Sequence, residues 1–269
     1  MSGFSAEWLA LREPHDLRAR NPVVLDAVTA ALEGLSPLRM VDLACGTGST
    51  MRALGPYLPA GQSWKLIDND LGLLARAKAT PLAAGATVTA VLLDLNRDLE
   101  AALDGPVDLV ATSALLDLVS DVWLDRFAVE IAVRGIPLYA ALSYDGRIGF
   151  TPPDPLDTEI TAAVNAHQRT DKGFGPALGP AAAPFALARF EALGYTIVHG
   201  QSDWVMGPDD RDMQTELLAG WASAAHEIGA MSRADANAWL ARRRKSVAAG
   251  QSSLHVGHVD FFAAPRATR

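Results

Sequence analysis

The chain has 269 residues, 49% of them hydrophobic and 20% charged, enough to bury a sizeable core and too apolar for a disordered segment. A formal net charge of −8 argues against a grip on phosphate backbones, where a basic face supplies much of the affinity. One cysteine excludes an internal disulfide and a multi-cysteine zinc site, and no apolar run approaches the roughly 18 residues of a membrane span. Met1 to Trp8 has neither a basic start nor a continuous apolar stretch, so no secretion signal is expected and the cytoplasm is the expected setting. Ser5 to Glu13 and Pro22 to Leu32 read as helices. Asn21-Pro22 opens the second and Gly34 stops it.

The next stretch, Val41-Asp42-Leu43-Ala44-Cys45-Gly46-Thr47-Gly48-Ser49, is the most informative in the chain. An apolar run from Leu38 to Leu43, interrupted by Arg39 and carrying Asp42, feeds a glycine turn and a short helix from Ser49 to Leu54. A buried strand running into such a turn is a nucleotide-binding device, because glycine lets the backbone approach a ligand and the helix end offers unpaired N–H groups. The pattern Asp42-x-Ala44-x-Gly46-x-Gly48 resembles the acid-x-Gly-x-Gly-x-Gly loop of class I S-adenosylmethionine-dependent methyltransferases, with Ala44 in place of the first glycine. A nicotinamide or flavin site would want Gly-x-Gly-x-x-Gly, and Met51 stands where its third glycine belongs.

Gln62 to Asp68 reads as a second strand, with Asp70 capping a helix from Leu71 to Ala79. The resemblance implies that Asp68 holds the cofactor ribose. Ala86 to Leu93 is a third strand, and the resemblance places the adenine amino group on Asp94 with Leu95 against the ring. Val107 to Thr112 is a fourth strand ending at Ser113, also assigned to the cofactor site. The Asn/Asp-Pro-Pro-aromatic signature of amino-methylating nucleic-acid enzymes is replaced here by Thr112-Ser113-Ala114-Leu115. Ser120 or Asp121 caps a helix to Arg134, stopped by Gly135, and Ile136 to Leu142 is a fifth strand.

Residues 146–180 depart longest from simple alternation, and Asp157 is expected to cap a helix from Thr158 to Gln168 within them. Leaving the fifth strand at the cleft, this segment reads as a substrate lid. A helix from Ala181 to Leu193 and a sixth strand from Tyr195 to Gln201 follow. Two helices, Arg211 to Ile228 and Arg233 to Ala248, lengthen the crossover to a last strand at Leu254 to Ala263. Arg242 to Lys245 is read as a solvated helix face. His255 and His258, three apart on a strand, point to opposite faces and cannot share a metal ion; none is expected.

The expected architecture is one α/β domain: a seven-stranded, mostly parallel Rossmann-like sheet with helices on both faces and its last strand antiparallel. Within it, 1–37 is a helical cover, 38–201 the core, 202–253 a helical insertion that could form a cover or a dimer surface, and 254–269 the last strand and tail. The resemblance implies methyl transfer from S-adenosyl-L-methionine, and the acidic charge points to a small-molecule acceptor, not nucleic acid or membrane. O- or N-methylation is favoured. The cofactor residues are Asp42, Ala44, Gly46, Gly48, Asp68, Asp94, Leu95 and Ser113. Since the cofactor carries the hard chemistry, the protein must align a nucleophile and take a proton. His167 leads on residue type, with Tyr144, Asp145 and Asp117 as alternatives. Arg12, Arg18 and Arg20 could approach the carboxylate of methionine but are read as surface residues. A catalytically silent binding protein and a nicotinamide-dependent oxidoreductase are the alternative readings.

Overall fold

The computed structural model describes residues 4–79 and 85–266. Eight strands form one sheet: β1 (Leu38–Leu43), β2 (Gln62–Asp68), β3 (Thr87–Leu92), β4 (Leu109–Ser113), β5 (Leu138–Thr151), β6 (Tyr195–Gln201), β7 (Trp204–Met206) and β8 (Ser253–Pro265). Their order is β3-β2-β1-β4-β5-β8-β6, with the short β7 added to β8. β1 to β5 run parallel, and β8 inserts antiparallel between β5 and β6. The expected seven strands are all present. The eighth, β7, is three residues that sequence alternation is too short to reveal.

Both faces of this sheet are covered, as a parallel sheet requires. Alternate residues of β1 feed different cores. Leu38 and Met40 pack with α2 (Pro22–Leu32), α3 (Ser49–Leu54) and α4 (Leu71–Lys78). Val41 and Leu43 belong to the opposite core, with α5 (Leu99–Ala102), α6 (Asp121–Arg134) and α8 (Ala182–Ala192). Local signals set the helix ends: Asn21, Asp70 and Ser120 accept N-cap hydrogen bonds, and Gly135 stops α6 in the left-handed conformation.

A third core, containing Trp204, Trp221 and Trp239, joins β7 and the outer ends of β5 and β8 to α7 (Asp157–His167), α9 (Arg211–Glu227) and α10 (Arg233–Ala248). α1 (Ala6–Ala19) reaches it through Trp8 and Leu11.

Three expectations change. β5 runs on to Thr151, so residues 146–151 are strand paired with β8, and the departure from the sheet begins at Pro152. Asp157 lies inside α7, where its carboxylate receives the Asp154 N–H (2.7 Å), the Trp239 indole N–H (2.9 Å) and the Arg243 guanidinium. Arg243 is 2% exposed and stacked over Phe150, so the basic run on α10 is not a uniformly solvated face. One face of that helix is core.

Candidate active site

Between β1 and β4 the chain reverses its direction of travel across the sheet, and open α/β sheets bind ligands beyond the strand ends at that switch. The turn after β1 sits there. Ala44, Gly46 and Gly48 all have positive φ (52°, 55° and 84°), so the glycines suit a backbone that side chains resist. A Cβ on Gly46 would lie 3.1 Å from Leu9, because α1 crosses directly over the turn. Glu13, one helical turn on, binds Arg52 (2.5 and 2.7 Å), and Arg52 also donates to the Thr47 carbonyl.

Asp68, at the end of β2, ties the turn to its neighbour. It accepts the Gly46 N–H at 2.8 Å and the Asp70 N–H at 3.0 Å. Burial raises its pKa, opposed by those backbone donors.

Asp42 is fully buried and neither of its oxygens has a hydrogen-bond partner. Burial pushes its pKa up to about 8, against the opposing influence of Arg20 and the nearby Thr50 and Arg52. The linkage sign is definite. In the fold Asp42 keeps a proton that it loses near pH 4 when unfolded, so its contribution makes stability fall as pH rises from about 4 to 8. Asp42→Asn should remove a slope of roughly 1.4 kcal/mol per pH unit across that window. Denaturant unfolding of both proteins from pH 5 to 8 measures it; parallel curves would show that Asp42 is ionised throughout.

Asp94 stands at the rim, receiving the Asn96 N–H (2.9 Å), while Leu95 is buried in the core and its carbonyl takes the Trp123 indole N–H (2.9 Å). Asn96 in turn donates to the Gly173 carbonyl (3.0 Å), and the Leu178 N–H to the Val119 carbonyl (2.8 Å). The segment after α7 is thereby docked across the ends of β3 and β4. Ser113 receives Arg20 at 3.4 Å. Arg20 is buried, not on the surface, and also donates to the Tyr139 hydroxyl at 3.0 Å.

A second polar cluster lies beyond the ends of β4 and β5. Asp117, in a single 3-10 turn (Leu116–Leu118), is buried, with Oδ1 unpartnered and Oδ2 3.5 Å from the Gln168 amide. Burial raises its pKa to about 6, opposed by backbone N–H groups and Arg12. Tyr144 donates to Asn165 (2.7 Å), and burial raises its pKa further out of the physiological range.

Its orientation follows from irregular pairing of β5 with β8 on both sides of it. Asp260 anchors the first irregularity by accepting the Leu142 N–H at 2.7 Å, where Leu142 has φ 55°. His258 packs against Tyr144 and Trp204 with Nδ1 unpartnered, and burial lowers its pKa to about 3. His255 instead points outward to Asp203 (2.9 Å).

His167 is held apart from this cluster. Its Nε2 is 3.4 Å from Glu227 and its Nδ1 3.4 Å from Lys172, whereas the next residue, Gln168, turns to Asp117. Two members of the cluster escaped the sequence. Arg12 is buried, paired with Asp16 (2.9 and 3.2 Å) and stacked over Trp204. The i,i+4 spacing of Arg12 and Asp16 was a readable signal for that pair. Nothing local distinguishes His258 from His255 except strand alternation.

No protein-family model matches the sequence, and no curated protein matches it. Solved structures do. A cyclopropane-fatty-acyl-phospholipid synthase-like protein from Lactobacillus casei ATCC 334 superposes with a TM-score of 0.54 at 15% identity, covering 97% of this chain and 94% of that one. The cyclopropane synthase MmaA2 from Mycobacterium tuberculosis gives 0.51 at 13% identity, with 97% and 94% covered. With the antiparallel β8 seated beside β5, these overlays decide the architecture. The fold is that of the class I methyltransferases. In that fold the glycine turn, Asp68 and Asp94 stand at the ends of β1, β2 and β3 in the order the sequence resemblance implies.

Proposed function

We propose that the chain is an S-adenosyl-L-methionine-dependent methyltransferase acting on a small molecule at oxygen or nitrogen. The observation that carries this reading is Asp42: a fully buried carboxyl group whose two oxygens lack hydrogen-bond partners, beneath a left-handed glycine turn at the switch in strand order. Without a ligand such a group holds its proton to about pH 8; a bound cofactor, which brings an ammonium and a sulfonium, would favour its ionised form. Asp68 retains lone pairs for ribose hydroxyls beyond the two N–H groups it accepts. Asp94 at the rim suits the adenine amino group, and Ser113 with Arg20 closes the far side.

When bound, the cofactor supplies an electrophilic methyl group with a neutral leaving group. The chain binds, orients and excludes water. α1 roofs the glycine turn, and residues 152–180 form the substrate cover, docked through Asn96 and Val119. Asp117 is the group suited to take a proton, since its pKa of about 6 keeps it mostly ionised and still basic near neutrality. His167, engaged with Glu227 and Lys172, serves to fix the end of α7 against α9.

The test is transfer of labelled methyl from S-adenosyl-L-methionine by the purified chain. Incorporation into a metabolite extract above that into bulk RNA or DNA is expected. Preferential labelling of nucleic acid would overturn the acceptor class, and failure to bind S-adenosylhomocysteine by calorimetry would overturn the cofactor.

A further inference from the structure

We propose that the cluster around Asp117, Tyr144 and His258 is the acceptor site, and that it takes a primary or secondary amine, bound as its ammonium against Asp117. This rests on the methyltransferase reading for its purpose, but on separate residues for its chemistry.

Donors of the cluster are engaged with partners of its own: Arg12 Nε and Nη2 on Asp16, the Trp204 indole N–H on Asp16 (3.0 Å), the Tyr144 hydroxyl on Asn165, and the Asn165 amide on the Gly146 carbonyl (3.0 Å). Acceptor capacity is left over. Asp117 Oδ1 is buried and unpartnered, Tyr144 keeps oxygen lone pairs, and His258 is a neutral ring with Nδ1 unpartnered. A ligand rich in N–H groups satisfies such a lining.

Charge points the same way. Asp16 pairs with Arg12 through two hydrogen bonds, whereas Asp117 has no ion-pair partner and meets the Gln168 amide at 3.5 Å and backbone N–H groups. A carboxylate or phosphate ligand would meet that charge; an ammonium would be paired by it.

Once the ammonium is seated, Asp117 is placed to accept one of its protons. The N–H bond breaks, an O–H bond forms on the carboxylate, and the nitrogen regains the lone pair of a nucleophile.

Binding of hexylamine, hexanol and hexanoate to the chain, unloaded and saturated with S-adenosylhomocysteine, tests this by calorimetry. Hexylamine should bind at least about tenfold more tightly than either of the others, and Asp117→Asn should weaken it by about tenfold or more, as loss of a charge-assisted hydrogen bond implies. Asp117→Glu, which keeps the charge, should retain amine binding and so separate charge from misfolding. Hexanol or hexanoate binding as tightly as hexylamine, no amine binding, or an unchanged amine affinity in folded Asp117→Asn would each overturn the proposal. Amine binding by a chain that does not take S-adenosylhomocysteine would sustain this site while removing the methyltransferase reading.

Discussion

Asp68→Ala is expected to weaken S-adenosylhomocysteine binding by about 1.5–3 kcal/mol, roughly ten- to hundredfold or more in affinity. Two losses combine in that figure. The carboxylate is the proposed partner of the ribose hydroxyls. It also holds the Gly46 N–H at 2.8 Å, fixing the turn that carries the rest of the site. Asp68→Asn should lose less, because one carbonyl oxygen survives to accept a backbone donor while the charge is gone. Calorimetry on the three proteins gives the ordering. Equal affinities, or tight nicotinamide binding by the native chain, would remove Asp68 from a methyltransferase site.

Arg243→Met is expected to destabilise the fold by about 3–5 kcal/mol, the range for removing one partner of a buried ion pair and stranding the other. Arg243 binds Asp157 and the Pro152 carbonyl and stacks over Phe150, while Asp157 also takes the Trp239 indole. Together these clamp the start of α7 to α10. Replacing Asp157 by leucine in the Arg243→Met background should recover part of the loss, because no uncompensated charge then remains. Urea unfolding measures both. A loss under about 1 kcal/mol in the single variant would mean that the clamp is solvated and that α7 is not anchored through it.

The same two residues show where sequence reading stops. β1 to β4 are legible because each is a short apolar run feeding a turn or cap built from neighbouring residues. The cofactor side of the site inherits that legibility, since Gly46, Asp68 and Asp94 are each strand-end features of contiguous motifs. β5 is half hidden. Ser143, Asp145, Gly146 and Gly149 erase its alternation, and only the distant β8 holds residues 146–151 in the sheet. Arg243 looked like one member of a basic run because its partner lies 86 positions away.

The proposed acceptor side is assembled from α1, the turn after β4, β5, α7, β7 and β8, no two of its principal residues being sequence neighbours. Arg12 and His258 become recognisable only when those elements meet. His167 and Gln168 illustrate the finest level: adjacent residues at a helix end, facing different partners, with nothing in their local sequence to say which turns inward.

α1 presents Leu9 and Glu13 to the glycine turn and, on its other side, Arg12 and Asp16 to the cluster around Asp117 and Trp204. One helix therefore borders both proposed compartments. A tilt of α1 that admits a ligand beneath Leu9 would also shift Arg12, and the resulting coupling between the two compartments would be the same in each direction.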